Sequence, residues 1–168
     1  MPPQAIFLTQ LVLGYVAWGL LFAAYVLPKI TLIDRSSVLR AIATFHSFRF
    51  FGLIFILPGV VGPNLPAAFA TFAAYGDFAT GVLALLALLS VRVRGLFLSF
   101  VVAFNVVGAA DIIVDYYRGM QLHLPDVAGQ LGAGYAIPIL YVPALMITHI
   151  VAFYLLARPE RQSALRPA

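Results

Sequence analysis

The stretch AIATFHSFRFFGLIFILPGV, residues 41–60, decides the fold of this chain. It is apolar over about 20 residues, which is the length a helix needs to cross a bilayer. Near its middle, however, it carries His46, Ser47 and Arg49. An arginine at the bilayer centre costs about 2.5 to 3.5 kcal/mol on insertion scales, so such a residue faces protein partners and marks a functional site. The stretch therefore predicts a membrane helix that contains a polar site.

The composition of the whole chain also indicates a membrane protein. Of its 168 residues, 63% are hydrophobic and 10% are charged, whereas soluble domains average about 25% charged residues. The length favours a single transmembrane domain over residues 1–168. There is no cysteine, which excludes disulfides, thiolate metal sites and cysteine nucleophiles. The basic residues flank apolar segments, so the expected partner is the lipid bilayer and not nucleic acid.

Four further apolar segments accompany the first. Together they predict an all-α integral membrane bundle of five transmembrane helices, at about residues 5–27, 41–60, 67–89, 96–117 and 135–157. Ser36 or Ser37 is expected to cap the second helix, and residues 118–134 are expected to form a loop. Pro138 and Pro143 are expected to kink the fifth helix because they lack backbone donors.

The positions of the basic residues predict the orientation of the bundle. Arg118 is expected on one side and Arg49 within the membrane, and the remaining eight are expected on the opposite side. These eight are Lys29, Arg35, Arg40, Arg92, Arg94, Arg158, Arg161 and Arg166. By the positive-inside rule, the N-terminus lies outside and the C-terminus in the cytoplasm, as in a multi-pass protein of the inner (plasma) membrane.

Polar side chains of different helices are predicted at one depth. At about 1.5 Å per residue, they fall near the bilayer centre, and His46 shares a helix face with Arg49. They line a predicted pocket composed of His46, Arg49, Asp77, Asn105 and His149. In it, Arg49 would supply a fixed positive charge, Asp77 its counter-ion, and either histidine a proton donor or acceptor.

This pocket leads to the first functional hypothesis, a membrane protein that binds a small molecule, a lipid or a quinone. Arg49 would bind an anion or polarise a carbonyl of the ligand. Whether catalysis follows is open, and no catalytic residue is assigned. There is no Walker A loop, GxSxG elbow or HExxH motif, so ATP-driven transport, serine hydrolysis and zinc proteolysis have no support. The spread in depth of the aspartates and histidines disfavours a metal site.

Two further hypotheses remain open from the sequence. In one, His46 and His149 are the axial ligands of a b-type haem in an electron-transfer subunit, since two histidines on different helices are what such a site needs. In the other, the protein is a ligand-free structural or assembly partner. Arg49 and Asp77 would then form a buried ion pair that fixes helix register.

A second polar group is predicted at the outer end of the fourth helix. Asp111 and Asp115 lie four residues apart on one face, and Arg118 follows. They form either an interfacial cluster whose side chains reach the headgroups or the outer mouth of a cation or proton path toward Asn105.

Four runs carry a resemblance to other proteins: HSFRFFGL (46–53), PAAFATFAAYGDF (66–78), FNVVGAAD (104–111) and IPILYVPALMITHI (137–150). They resemble a group of small multi-pass proteins from bacterial genomes, over most of the chain after residue 40. The resemblance implies a bacterial inner-membrane location and no particular chemistry.

Overall fold

The described part of the computed structural model comprises residues 1–30 and 32–158, and within it all regular structure is helical. Five helices are long and apolar enough to cross a membrane: α1 (Pro3–Ile30), α2 (Arg35–Ile56), α3 (Ala67–Leu89), α4 (Arg94–Gln121) and α5 (Ile137–Ala157). A 3₁₀-helical connector, Leu124–Tyr135, joins α4 to α5. The all-α prediction is confirmed, and α3 has the predicted bounds.

The second helix begins six residues before its predicted start. Asp34 caps it by accepting a hydrogen bond from the Ser37 amide at 3.0 Å. The prediction of a serine cap was therefore wrong, because the preceding aspartate supplies the acceptor that the first turn needs. The helix ends at Ile56, since Leu57 takes an extended conformation ahead of Pro58.

Within α2 the backbone changes from α to 3₁₀ winding at Phe48, and the 3₁₀ segment Phe48–Ile56 is nine residues long. Such segments seldom exceed three or four residues. With three residues per turn, every third side chain lies on one face, and the buried residues of this segment are Arg49, Gly52 and Phe55. The winding therefore aligns the arginine with two packing residues against α3.

The region expected to be a loop, residues 118–134, is largely helical. α4 continues to Gln121, and after a break at His123, whose φ is +52°, the connector begins. The prediction of a loop was wrong because Leu124 and Leu131 are buried, which gives the connector an apolar face of its own. In α5, winding is of the π type over Ile137–Tyr141, where prolines interrupt the normal hydrogen-bond ladder.

Contacts between termini and loops define two ends of the bundle. At the basic end, Arg35 at the start of α2 donates to the carbonyl of Arg158, which follows α5. At the connector end, the Gly62 amide between α2 and α3 donates to the Gln130 carbonyl at 2.7 Å. From α2 to α5, successive long helices thus run in opposite directions.

Each end of the bundle has its own apolar core. The basic-end core includes Leu39, Ala84, Phe97, Val101, Phe104 and Leu155. The connector-end core includes Phe7, Phe55, Phe69, Ala73, Leu124 and Leu131. The buried polar side chains that the sequence singled out lie between these two cores.

Candidate functional site

The buried polar side chains between the two cores form a layer, composed of His46, Arg49, Asp77, Asn105, Asp111 and His149. Arg49 lies at the centre of this polar layer and is 1% exposed. Its Nε donates to Asp77 Oδ1 at 2.6 Å, and its Nη2 donates to Asp111 Oδ2 at 2.6 Å. Its Nη1 donates to the carbonyl oxygen of Gly108 at 3.1 Å. The predicted Arg49–Asp77 ion pair is therefore present, and the guanidinium bridges α2, α3 and α4.

His149 extends this network toward the basic end. Its Nε2 lies 3.3 Å from Arg49 Nη1, and its Nδ1 lies 2.8 Å from Asn105 Oδ1. Because a guanidinium can only donate, Nε2 accepts, and the proton of a neutral His149 then lies on Nδ1 and is donated to Asn105. Asn105 Nδ2 in turn donates to the Val101 carbonyl at 2.7 Å. Every polar atom of this branch is thereby satisfied.

The two histidines of the layer touch each other. The ring centroids of His46 and His149 are 4.1 Å apart, with 49° between the ring planes, and His46 Nε2 is 2.9 Å from the Thr148 hydroxyl. A haem with both as axial ligands would place its iron and macrocycle between the rings. Rings in contact leave no room for that group, so this arrangement does not fit the bis-histidine haem considered from the sequence.

Glycines give the charged side chains their space. A Cβ on Gly52 would collide with the Asp77 carboxylate, and one on Gly76 would collide with the Asp111 carboxylate. A Cβ on Gly108 would lie 2.6 Å from Arg49 Nη1 and 2.8 Å from His149 Cε1. Real Cβ atoms do not approach other atoms so closely, so these positions need glycine for the ion pairs to form.

Asp111 does not lie where the sequence placed it. One expectation was an interfacial cluster with Asp115 and Arg118, but Asp111 is 5% exposed and pairs with Arg49. Arg118 instead lies over the ring of Phe72, 4.2 Å from its centroid. The expectation of an interfacial cluster was wrong because it counted depth between Cα atoms, whereas the long arginine side chain spans more than one helical turn. The alternative, a cation or proton path from Asp115 through Asp111 toward Asn105, stays a prediction.

A cavity of about 70 Å³ adjoins the layer on the side of the connector end. Its polar wall is formed by Arg49, Asp77, Asp115 and Tyr116, and the rest is apolar. The Oδ1 atom of Asp115 is buried and has no hydrogen-bond partner in the protein. The cavity continues along Gly119, Met120, Leu124 and Pro125 toward the end of α4.

The predicted pocket residues are thus divided between two environments. Arg49 and Asp77 line the cavity. His46, Asn105 and His149 lie on the other side of Arg49, each with no exposed surface. Thr148, Tyr116 and the glycines were not predicted from the sequence as parts of the site. For the glycines, a signal existed in the spacing of Gly108 to Asp111, which puts both on one face of α4.

In the described part of the chain, fold and site together define a class, a helical protein with five apolar helices of membrane length and a buried arginine–carboxylate layer beside a cavity. Residues 6–157 match the family model described as a domain of unknown function (DUF8737). The chain therefore belongs to this DUF8737 family. Neither the curated proteins nor the solved structures contain a significant match to it.

Proposed function

We propose that this chain is an integral membrane protein that binds a small ligand in the cavity beside Arg49. Membrane insertion is supported by the five apolar helices. It is also supported by the many large apolar side chains on the outer surface, among them Leu20, Leu89 and Ile150, which are 61% to 81% exposed. In water such a surface would aggregate, whereas in a bilayer it is solvated.

The proposed orientation places the basic end in the cytoplasm and the connector end outside, in the inner (plasma) membrane. The positive-inside rule supports it, because Arg35 and Arg158 meet at the basic end and Arg118 lies near the start of α3 at the connector end, donating to the Ala68 carbonyl. In this orientation the cavity lies in the outer half of the membrane, with Met120, 58% exposed, at its rim.

The single observation that carries the proposal is the unpartnered Asp115 oxygen in the wall of a cavity that also reaches a buried ion pair. Buried polar atoms are nearly always hydrogen bonded, and ligand sites combine apolar walls with a few converging polar groups. On the basic-end side of the polar layer, the core is apolar and includes the fully buried Leu39, Val101 and Phe104. With the proposed orientation, this packing supports a site that opens outward and is closed toward the cytoplasm.

The volume limits the ligand in this conformation. An apolar cavity of about 150 Å³ binds benzene, and the present one, about 70 Å³, is smaller. A lipid or quinone headgroup would therefore require α1 to move outward, since Phe7, Leu8 and Leu11 of α1 close one side of the cavity.

A substitution that fills the cavity with a larger side chain tests the proposal. A Cβ at Gly119 would make only ordinary contacts, the nearest 3.5 Å away on Leu124 and another 3.9 Å away on Phe69, so Gly119→Ala is the matched control. Leucine there would extend among these cavity-lining side chains. The measurement is mass spectrometry of small molecules extracted from protein purified in mild detergent. A ligand should be present in the extracts of wild type and Gly119→Ala and absent from the extract of Gly119→Leu. The same extract from all three proteins would contradict the proposal.

A further inference from the structure

The charges around the cavity are unbalanced. Among residues 1–30 and 32–158, Arg49 is the one cation in contact with the cavity, and it faces Asp77 and Asp111 directly. Asp115 adds a third carboxyl group on the same face of α4, four residues beyond Asp111. His149 accepts from Arg49 and so brings no positive charge. Three carboxyl groups thus face one guanidinium, so the site has more acidic groups than cations in a medium that solvates charge poorly.

The donors of Arg49 are directed at the protein and not at a ligand anion. Its Nε and Nη2 donate to carboxylates, and its Nη1 donates to the Gly108 carbonyl. An anion in the cavity would meet Asp77 and Asp115 as well as the arginine. The anion that the sequence suggested at Arg49 is therefore disfavoured by like-charge repulsion.

The walls of the cavity are rich in aromatic rings: Phe7, Phe55, Phe69 and Tyr116. Aromatic faces attract ammonium groups, and this attraction is strongest where water is excluded. Inorganic cations such as Na⁺ are more strongly hydrated and gain most from oxygen ligands, whereas an alkylammonium ion uses both apolar walls and a carboxylate. The combination of aromatic wall and unpartnered carboxylate oxygen thus selects an organic cation.

We infer that the ligand of this cavity is a small alkylammonium ion, held by Asp115 through its ammonium group and by the aromatic wall through its alkyl group. The inference deepens the proposed function and rests on it. A cavity of about 70 Å³ suits a cation of a few non-hydrogen atoms, since benzene needs about twice that volume. One Asp115 oxygen without a partner in the protein matches an N–H donor of the ligand.

The test is isothermal titration of the purified full chain with probes of equal size and different charge. Ethylammonium, ethanol and acetate share a two-carbon size, while NaCl and ammonium chloride test inorganic cations. We expect the Kd of ethylammonium to be lower than that of ethanol by about tenfold or more, which is the effect of one charge-assisted hydrogen bond. Acetate should not bind, and Na⁺ and ammonium should bind more weakly than ethylammonium.

Two carboxamide variants locate the interaction. Asp115→Asn keeps the shape of the side chain and should weaken ethylammonium binding about tenfold or more while leaving ethanol binding unchanged. Asp126→Asn is the matched control, because Asp126 is exposed in the connector, outside the cavity, and removes the same charge. Far-ultraviolet circular dichroism and size-exclusion profiles establish that both variants are folded.

The outcomes separate the two proposals. If ethanol binds as tightly as ethylammonium, or if Asp115→Asn binds ethylammonium like wild type, the cation inference is refuted and the small-ligand function stands. If acetate or Na⁺ binds best, the inference is refuted in favour of that ion. If no probe binds and Gly119→Leu extracts match those of wild type, both proposals are refuted and the cavity contains structural water only.

Discussion

Gly108→Ala is the substitution whose effect is most tightly determined by the structure. The added methyl group would lie 2.6 Å from Arg49 Nη1, 2.7 Å from Thr80 Cγ2 and 2.8 Å from His149 Cε1. All three neighbours are less than 2% exposed and belong to different helices, so none can move without disturbing another. The new methyl group therefore has to separate α4 from its neighbours or displace the guanidinium.

The magnitude follows from two opposing terms. Glycine to alanine inside a helix normally stabilises by roughly 0.5 to 1 kcal/mol, whereas overpacking a tight core costs roughly 1 to 3 kcal/mol. Displacing Arg49 from its hydrogen bonds adds to this cost. We expect the free energy of unfolding of Gly108→Ala to fall by about 2 kcal/mol, which for a chain of this length lowers Tm by roughly 4 to 8 °C.

Thermal unfolding in one detergent, followed by circular dichroism, measures this effect. Gly19→Ala is the matched control, since a Cβ at Gly19 of α1 would meet nothing within 4 Å, and its Tm should be unchanged or slightly raised. If Gly108→Ala were as stable as Gly19→Ala, the close approach of α4 to Arg49, and with it the described charged layer, would be refuted.

Three other predictions concern the layer and its surroundings. Arg49→Met should lower the free energy of unfolding by roughly 3 to 5 kcal/mol, because it leaves Asp77 and Asp111 buried without their cation. In thermal unfolding, the triple variant in which both aspartates are also replaced by leucine should regain most of that loss. A triple variant no more stable than Arg49→Met would contradict the ion pairs. Tyr15→Phe removes the 2.8 Å hydrogen bond to the Tyr116 hydroxyl and should lower the free energy of unfolding by roughly 0.5 to 1.5 kcal/mol. Tyr25→Phe, at a residue 67% exposed, is the control and should leave stability unchanged. Equal effects of the two variants would count against the α1–α4 contact. Addition of haem to the purified protein should give no Soret band of a bis-histidine complex, because the two imidazole rings of the layer are in contact, and such a band would overturn the geometry of the histidines.

Much of the helical architecture could be predicted from the sequence. Hydrophobic length alone gives the five long helices, since about 20 apolar residues are a strong signal. The bounds of α3 follow from Pro66 and from the polar turn after Leu89. The start of α2 could not be chosen between Asp34 and the two serines, because all three are good caps. The 3₁₀ winding of Phe48–Ile56 depends on packing against α3, which no local pattern reveals.

The site was predictable only in part. Arg49 and Asp77 could be paired because their helices are sequence neighbours with similar depths. Asp111 could not, since depth counted along the backbone ignores the reach of an arginine side chain. The cavity was beyond sequence reasoning altogether. It arises where α1 and the connector pack over α3 and α4, and that packing depends on contacts between segments more than 100 residues apart, such as Tyr15 with Tyr116.

We propose that the cavity is open to the outside and reaches the charged layer, while the cytoplasmic half of the bundle is closed. The chain has no cysteine, so a single introduced cysteine can be labelled without a signal from any other thiol of the protein. Such cysteines can be placed at the rim (Met120→Cys), in the connector-end wall of the cavity (Ala73→Cys) and in the basic-end core (Ala84→Cys). The measurement is their labelling by a membrane-impermeant thiosulfonate with a permanent charge, the trimethylammonium-ethyl reagent, added to intact cells or to inside-out vesicles.

We expect fast labelling of Met120→Cys and slower labelling of Ala73→Cys from the outside only, and no labelling of Ala84→Cys from either side. Labelling of Ala73→Cys from the cytoplasmic side, or of Ala84→Cys in place of Ala73→Cys, would contradict this proposal.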